Sequence, residues 1–170
     1  MALHLHTGYL PGAIGRIVHL HADFYARTSG FGLPFEAKVA TELSEFMQRY
    51  DAARDLLAVA MMDGSIEASI AIDGRDAEQK GAHLRWFIAS DRTRGQGIGS
   101  ALLKMALDHV DLRGYPKCYL WTFEGLQAAG HLYSKSGFRL AQQARGTQWG
   151  TEVNEQMFVR LTPDRAVASV

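Results

Sequence analysis

The sequence predicts an α/β domain, of the α+β kind, built on a mixed, mostly antiparallel sheet of about seven strands with four helices. Three observations carry that prediction. Apolar runs of strand length alternate with longer stretches whose apolar residues recur every three or four positions. Asp63-Gly64 is a two-residue turn between two such runs, the mark of a hairpin. Finally, the run Leu84-Arg-Trp-Phe-Ile-Ala-Ser90 leads into Arg92-Thr-Arg-Gly-Gln-Gly-Ile-Gly99 and then into a helical stretch, a strand, loop and helix unit that implies one parallel crossover.

The elements follow in order. Leu3 to Thr7 alternates apolar and polar residues as a half-buried strand does. Ile14, Ile17, Val18, His21 and Phe24-Tyr25 fall on one face of a helix from about Pro11 to Ala26, closed by the Gly- and Pro-containing loop Thr28 to Pro34. Val39, Leu43, Phe46 and Met47 give the apolar face of a second helix, about Phe35 to Arg49. Leu56 to Met62 and Ser65 to Ile72 form the hairpin, Asp73 to Gly81 is a polar loop, and Ala82 to Ala89 is the strand before the glycines. Leu102, Leu103, Ala106, Leu107 and Val110 mark the helix from about Gly97, and Gly114 with Pro116 ends it. Lys117 to Phe123 is a strand, Leu126 to Lys135 a short helix, and Phe138 to Gln143 and Val153 to Leu161 two closing strands. The expected organisation is one domain over 1–163 and a frayed tail over 164–170.

Composition narrows the function classes. Eighteen Lys plus Arg balance eighteen Asp plus Glu, so no global field favours nucleic acid or an anionic membrane as a partner. The single cysteine, Cys118, rules out an internal disulfide and reads as a small core residue. No apolar run is long enough to span a bilayer and the start resembles no secretory leader, so a cytoplasmic location is expected. His4 and His6 share a strand face, but no further spacing supports a metal, and none is expected.

Three glycines between a strand and a helix leave backbone N–H groups open to a large anion, at the positive end of the helix dipole. By itself this is a generic anion cradle or a tight turn. Taken with Leu132-Tyr133-Ser-Lys-Ser-Gly137-Phe138 about forty residues later, and with the element order, the chain resembles the GNAT family of acetyl-CoA-dependent N-acetyltransferases over nearly its whole length. Gly30-Phe-Gly-Leu-Pro-Phe-Glu, Leu120-Trp-Thr-Phe-Glu and Thr147-Gln-Trp-Gly150 also look like the acetyltransferase domain fused behind winged-helix (MarR-type) regulators in some bacterial proteins.

The resemblance implies acetyl-CoA as co-substrate. Backbone amides of Arg94, Gly95, Gln96, Gly97, Ile98, Gly99 and Ser100 would hold its pyrophosphate, with charge from Arg92 and Arg94, and main-chain groups of Phe87, Ile88 and Ala89 would fix the thioester carbonyl. Tyr133 would protonate the leaving thiolate, since a phenol is a donor at neutral pH. Its alternative is a tyrosine on an apolar helix face. The amine must lose a proton before it attacks, for which Glu124, His83 or a chain of waters would serve. Glu124 reads equally as an amine anchor or a helix N-cap, and His83 as a solvated surface residue. Phe31, Phe35 and Glu36 between the first helices, Arg85 on the fourth strand, and Trp149 and Glu155 in the closing hairpin would meet the acceptor. Core packing is the competing reading for each aromatic, and a first-turn position for Glu36. The expected reaction is direct attack of a small-molecule primary amine, amino-acid-like, on acetyl-CoA by a monomer or homodimer. A non-catalytic acyl-CoA-binding module and a peptide N-acetyltransferase are the alternatives.

Overall fold

A computed structural model describes residues 2–164. The strands are β1 (Leu3–Thr7), β2 (Leu56–Met62), β3 (Ser65–Asp73), β4 (Ala82–Ala89), β5 (Lys117–Phe123), β6 (Arg139–Gly146) and β7 (Val153–Leu161), and the helices are α1 (Ala13–Ser29), α2 (Leu33–Gln48), α3 (Ala77–Lys80), α4 (Ile98–Arg113) and α5 (Gln127–Lys135). They form one seven-stranded sheet in the order β1-β2-β3-β4-β5-β7-β6, antiparallel everywhere except at β4–β5. The expected architecture is therefore present. No helix among the described residues is long and apolar enough to cross a membrane.

Both faces of the sheet are covered, and the strand alternation sorts side chains between them. Leu57, Val59, Ala71, Trp86 and Ile88 meet Ile17, Leu43 and Phe46 of α1 and α2 on one face. On the other, Ala58, Ala60, Ile70, Ile72 and Leu84 meet Leu102, Leu103, Ala106 and Val110 of α4, with Tyr133 of α5. Cys118 lies in this second core, fully buried, and burial pushes its thiol up to about 12. β2 is an unbroken apolar run and β3 is buried along nearly its whole length because both of their faces are covered.

Some boundaries move for local reasons. The first helix continues to Ser29, three residues past the expected end, and stops where the Gly30 N–H turns back to the Ala26 carbonyl and the Phe31 N–H to that of Tyr25. The second starts at Leu33 because Pro34 fits a first turn, where no N–H is needed. The polar loop after β3 contains a fifth helix, the single turn α3, too short to leave a periodic apolar pattern. β6 runs on to Gly146 as an exposed edge strand held by β7. The expected tail lies, from 165 onward, outside the described residues.

Candidate active site

The sheet parts between its two parallel strands. β4 and β5 pair only at Ala82↔Cys118 and His83↔Tyr119, whereas β5 stays paired with β7 from Lys117 to Phe123. Beyond His83 the edge that β4 turns toward β5 has no strand partner, and its N–H and C=O groups open onto a cleft.

A bulge shapes that edge. Ser69 pairs with Ile88 and Ala71 with Arg85, so Trp86 and Phe87 together oppose Ile70 alone. Trp86 takes a positive φ of 47°, and the Ser69 hydroxyl donates to its carbonyl at 2.7 Å. The extra residue breaks strict alternation. Trp86 packs toward α1 and α2, while Phe87 packs toward the opposite core.

The glycine loop stands at the head of the cleft. Gly95 and Gly97 have φ of 75° and 69°, and the first intrahelical bond of α4 runs from the Ala101 N–H to the Gly97 carbonyl at 3.0 Å. The N–H groups of Ile98, Gly99 and Ser100 therefore have no partner within the helix. A Cβ on Gly95 or Gly97 would meet nothing within 4 Å, whereas one on Gly99 would touch Phe87 and Leu132 at 3.7 Å. The cradle is thus open outward and packed on the cleft's own walls, which fits a phosphate group approaching the helix end. The arginines around it are already engaged. Arg92 donates to Glu67 and Asp63, each at 2.9 Å, and Arg94 donates to Asp91 at 2.7 Å. The Gln96 side chain donates to the Arg92 carbonyl at 3.0 Å.

Glu67 anchors this end of the molecule. Its carboxylate, almost fully buried, accepts from Arg16 of α1 at 3.0 Å and from the Ser90 hydroxyl at 2.6 Å, besides Arg92. Burial is the largest influence on it and raises its pKa, but the Ser90 bond and the Arg16 charge, with further donors, more than offset this and the net shift is downward. A charged Glu67 therefore ties the loop to α1 and β3.

Two hollows, of about 430 and about 590 Å³, occupy the cleft and share Tyr25, Phe87, Phe123, Leu126 and Ala129 as walls. Tyr133 lines the smaller one. It is buried between Phe87, Phe138 and Phe158, and burial, with smaller contributions from Tyr25 and Cys118, pushes its phenol well above the usual tyrosine range. Among the described residues its hydroxyl has no hydrogen-bond partner, and no buried polar side-chain atom shut off from solvent lacks one, so the hydroxyl opens into the hollow. Glu124 lies on the rim of the larger hollow with Ile88 and Ala89. It is exposed, accepts from the Asn154 side chain at 3.1 Å, and provides no helix cap, since the N-cap of α5 is Leu126.

The residues expected to meet the acceptor separate. Phe35, Arg85 and Trp149 line the smaller hollow, whereas Phe31, Glu36 and Glu155 are not on its walls. Phe31 is buried among Tyr25, Phe35 and Phe123, with ring centroids 5.1 to 5.8 Å apart, and supports the wall from behind. Glu36 is on the exposed side of α2. The Glu155 carboxylate accepts the Gln148 N–H at 2.9 Å and so braces the loop that carries Trp149. That loop closes over the site: Gly150 packs on Pro34 so tightly that an added Cβ would come within 2.5 Å of it.

Sequence reasoning missed His21 and Tyr25 of α1, Lys38 and Glu42 of α2, and Gln148, all of which line the smaller hollow. Lys38 donates to Glu42 at 2.7 Å, and Arg85 donates to the other oxygen of Glu42 while its guanidinium lies 4.2 Å from the centre of the Trp86 ring. Two cations thus share one carboxylate. His83 is half-buried rather than solvated, stacked on Tyr119 at 4.5 Å, and burial, with Arg85 beside it, lowers its pKa to about 3. For His21 and Tyr25 the available signal was polar groups on an otherwise apolar helix stripe. Lys38 and Glu42 looked like an ordinary solvated i, i+4 pair. Among the described residues no group of three or more His, Cys, Asp or Glu is placed to hold a metal.

A mixed sheet split between two parallel strands, with a glycine cradle heading the gap, defines a cleft protein that takes a long ligand with an anionic end. The Acetyltransferase (GNAT) family model matches residues 18–138, and the chain belongs to that family of acetyl-CoA-dependent N-acetyltransferases. Solved structures agree on the fold. An acetyltransferase of the GNAT family from Staphylococcus aureus Mu50 superposes with a TM-score of 0.75 at 14% identity, covering 95% of this chain and 100% of its own. For yncA of Salmonella typhimurium, solved with its cofactor acetyl-CoA, the values are 0.75, 12%, 100% and 99%. For the ribosomal-protein-S18-alanine N-acetyltransferase from Escherichia coli they are 0.69, 18%, 99% and 99%. No curated protein sequence matches significantly. These likenesses concern the fold, the family rests on the match over 18–138, and neither shows the subgroup fused behind winged-helix regulators.

Proposed function

We propose that this protein transfers an acetyl group from acetyl-CoA to the primary amine of a small, amino-acid-like molecule, by direct attack within a ternary complex. The observation that carries this is the smaller hollow, roofed by the Trp149 loop and lined by Arg85 and Lys38 around Glu42. Its volume suits a small molecule. The two cations exceed their shared carboxylate by one charge, which favours an acceptor that carries an acidic group alongside its amine. Glu36 and Glu155, the two carboxylates expected to meet the acceptor, are both off this wall.

In this reading the amides of Gly95, Gly97, Ile98, Gly99 and Ser100 hold the diphosphate, those of Arg94 and Gln96, expected to join them, being taken by the Asp91 and Thr93 carbonyls, while unpaired β4 groups at Phe87, Ile88 and Ala89 hold the acyl carbonyl. The thioester supplies the activated acetyl group when bound. Tyr133, kept protonated by burial, donates to the sulfur that departs. We assign residues 1–163 to a single domain, working in the cytoplasm as a monomer or homodimer.

The test is thiol release from acetyl-CoA with amino acids, dipeptides, polyamines and aminoglycosides as acceptors. Acceptor-dependent release is expected with an amino acid or an analogue bearing an acid group, at saturating levels at least tenfold above that with polyamines. Release with peptides alone, or coenzyme binding without release from any acceptor, would overturn the reading.

A further inference from the structure

The mechanism above leaves the amine's proton without a destination, and one buried group in the smaller hollow is unused. His21 lies on the α1 stripe Ile17, His21, Tyr25, one turn apart each, and is 5% exposed. Its Nδ1 is 2.8 Å from the Ile17 carbonyl. A carbonyl only accepts, so Nδ1 carries the hydrogen and the neutral ring keeps its lone pair on Nε2. Among the described residues Nε2 has no partner, and no buried polar side-chain atom shut off from solvent lacks one, so Nε2 reaches the hollow that His21 lines.

We propose that His21 receives the acceptor amine through Nε2 and takes its proton as the new bond forms. This rests on the small-molecule reading above. The acceptor first gives its ammonium proton to solvent; the neutral amine nitrogen then bonds to the acetyl carbon and the carbon–sulfur bond breaks. The amine's proton passes to Nε2 of His21, and the departing sulfur takes the proton of the Tyr133 hydroxyl. On return to the starting state the proton held by His21 replaces the one given up by Tyr133, so one proton moves from nitrogen to sulfur overall.

The alternatives are placed less well. His83 has a guanidinium, Arg85, at its side, which opposes a second positive charge on its ring. Glu124 is exposed on the rim of the other hollow. At His21 burial lowers the pKa to about 4, with the Ile17 carbonyl opposing, so the ring stays neutral with its Nε2 lone pair free through the neutral range and passes on quickly any proton it takes. The ring stacks on Tyr25 with centroids 6.3 Å apart, and Lys38 and Arg85, which line the same hollow, are both engaged by Glu42.

The experiment uses the full chain and whichever acceptor the wild type accepts; failure of the wild type with every small amine would sink the small-molecule reading rather than this one. His21→Ala should lower turnover about 10²-fold, in the usual range for a lost general base, with acetyl-CoA affinity unchanged. Added imidazole should restore part of the loss in a saturable way, whereas pyrrole, the same ring shape without the free lone pair, should not. Where the alanine variant folds poorly, His21→Asn keeps a donor for Ile17 and should show the same loss. Turnover within threefold of wild type in a folded variant, or rescue by pyrrole as good as by imidazole, would overturn the proposal.

Discussion

The two ends of the cleft are built from different materials. The glycine loop offers the backbone N–H groups of Gly95, Gly97, Ile98, Gly99 and Ser100 from one short stretch, whereas the smaller hollow is walled by side chains from α1, α2, β4, β5, α5 and the β6–β7 loop. A backbone site tolerates changes in nearby side chains but depends on conformation. A side-chain site inverts that rule, because each group is placed by a separate element and each can be exchanged without disturbing the chain path. The donor end is accordingly suited to one ligand, and the acceptor end to a specificity that single substitutions alter.

The largest test of this contrast concerns the group that stands between the two ends. Tyr133→Phe removes one oxygen and leaves the ring packing on Phe87, Phe138 and Phe158 in place. Turnover should fall about 10²-fold while acetyl-CoA affinity, which the backbone supplies, stays within twofold. Because burial holds the phenol above its ordinary range, the wild-type rate should show no fall below pH 10 from loss of its proton. Stopped-time thiol assays across pH measure both: a fall of the wild-type rate between pH 8 and 10 that the phenylalanine variant lacks would contradict the raised phenol, and unchanged turnover in the variant would remove Tyr133 from the mechanism.

On the acceptor side, Arg85→Gln should raise the acceptor KM about tenfold, the scale of one lost hydrogen bond to a charged group, and leave the acetyl-CoA KM unchanged. An acceptor that lacks the acidic group should lose nothing. Equal losses for both acceptors would mean that Arg85 only holds Glu42 and the hollow's shape.

The same contrast explains what was legible in the sequence. The hairpin at Asp63-Gly64, the strand and helix pattern and the glycine loop are local, so spacing alone exposed them. Tyr133 was legible because it sits in a motif at a fixed distance from the loop. Lys38 and Glu42 were not, because an i, i+4 ion pair on a helix surface looks the same whether it faces water or a cavity. Glu36 seemed the better candidate only until the helix phase placed it outside. The bulge at Trp86 was hidden as well: the run Leu84 to Ala89 reads as an ordinary strand, and its extra residue appears only against the register of β3. Arg92 looked like a phosphate ligand because its partners, Asp63 and Glu67, lie on a different strand pair.

The smallest effect sharpens the claim that the donor end is made of backbone. Arg94 is 80% exposed and already donates to Asp91, so its charge is screened by water and by a neighbouring carboxylate. Arg94→Ala should therefore weaken acetyl-CoA binding by less than about threefold at physiological salt. Gly97→Ala is the counterpart: it adds no charge and meets no atom, but it puts a Cβ on a residue with φ of 69° at the head of α4, where a left-handed conformation costs a non-glycine residue about 1 kcal/mol; the free loop relaxes to escape that cost and binding must restore it, roughly fivefold in affinity. Calorimetric titration of the two variants with acetyl-CoA gives the comparison directly. If the arginine variant loses more than the glycine variant, the loop holds its ligand by side-chain charge, and the division between a backbone-built donor end and a side-chain-built acceptor end does not stand.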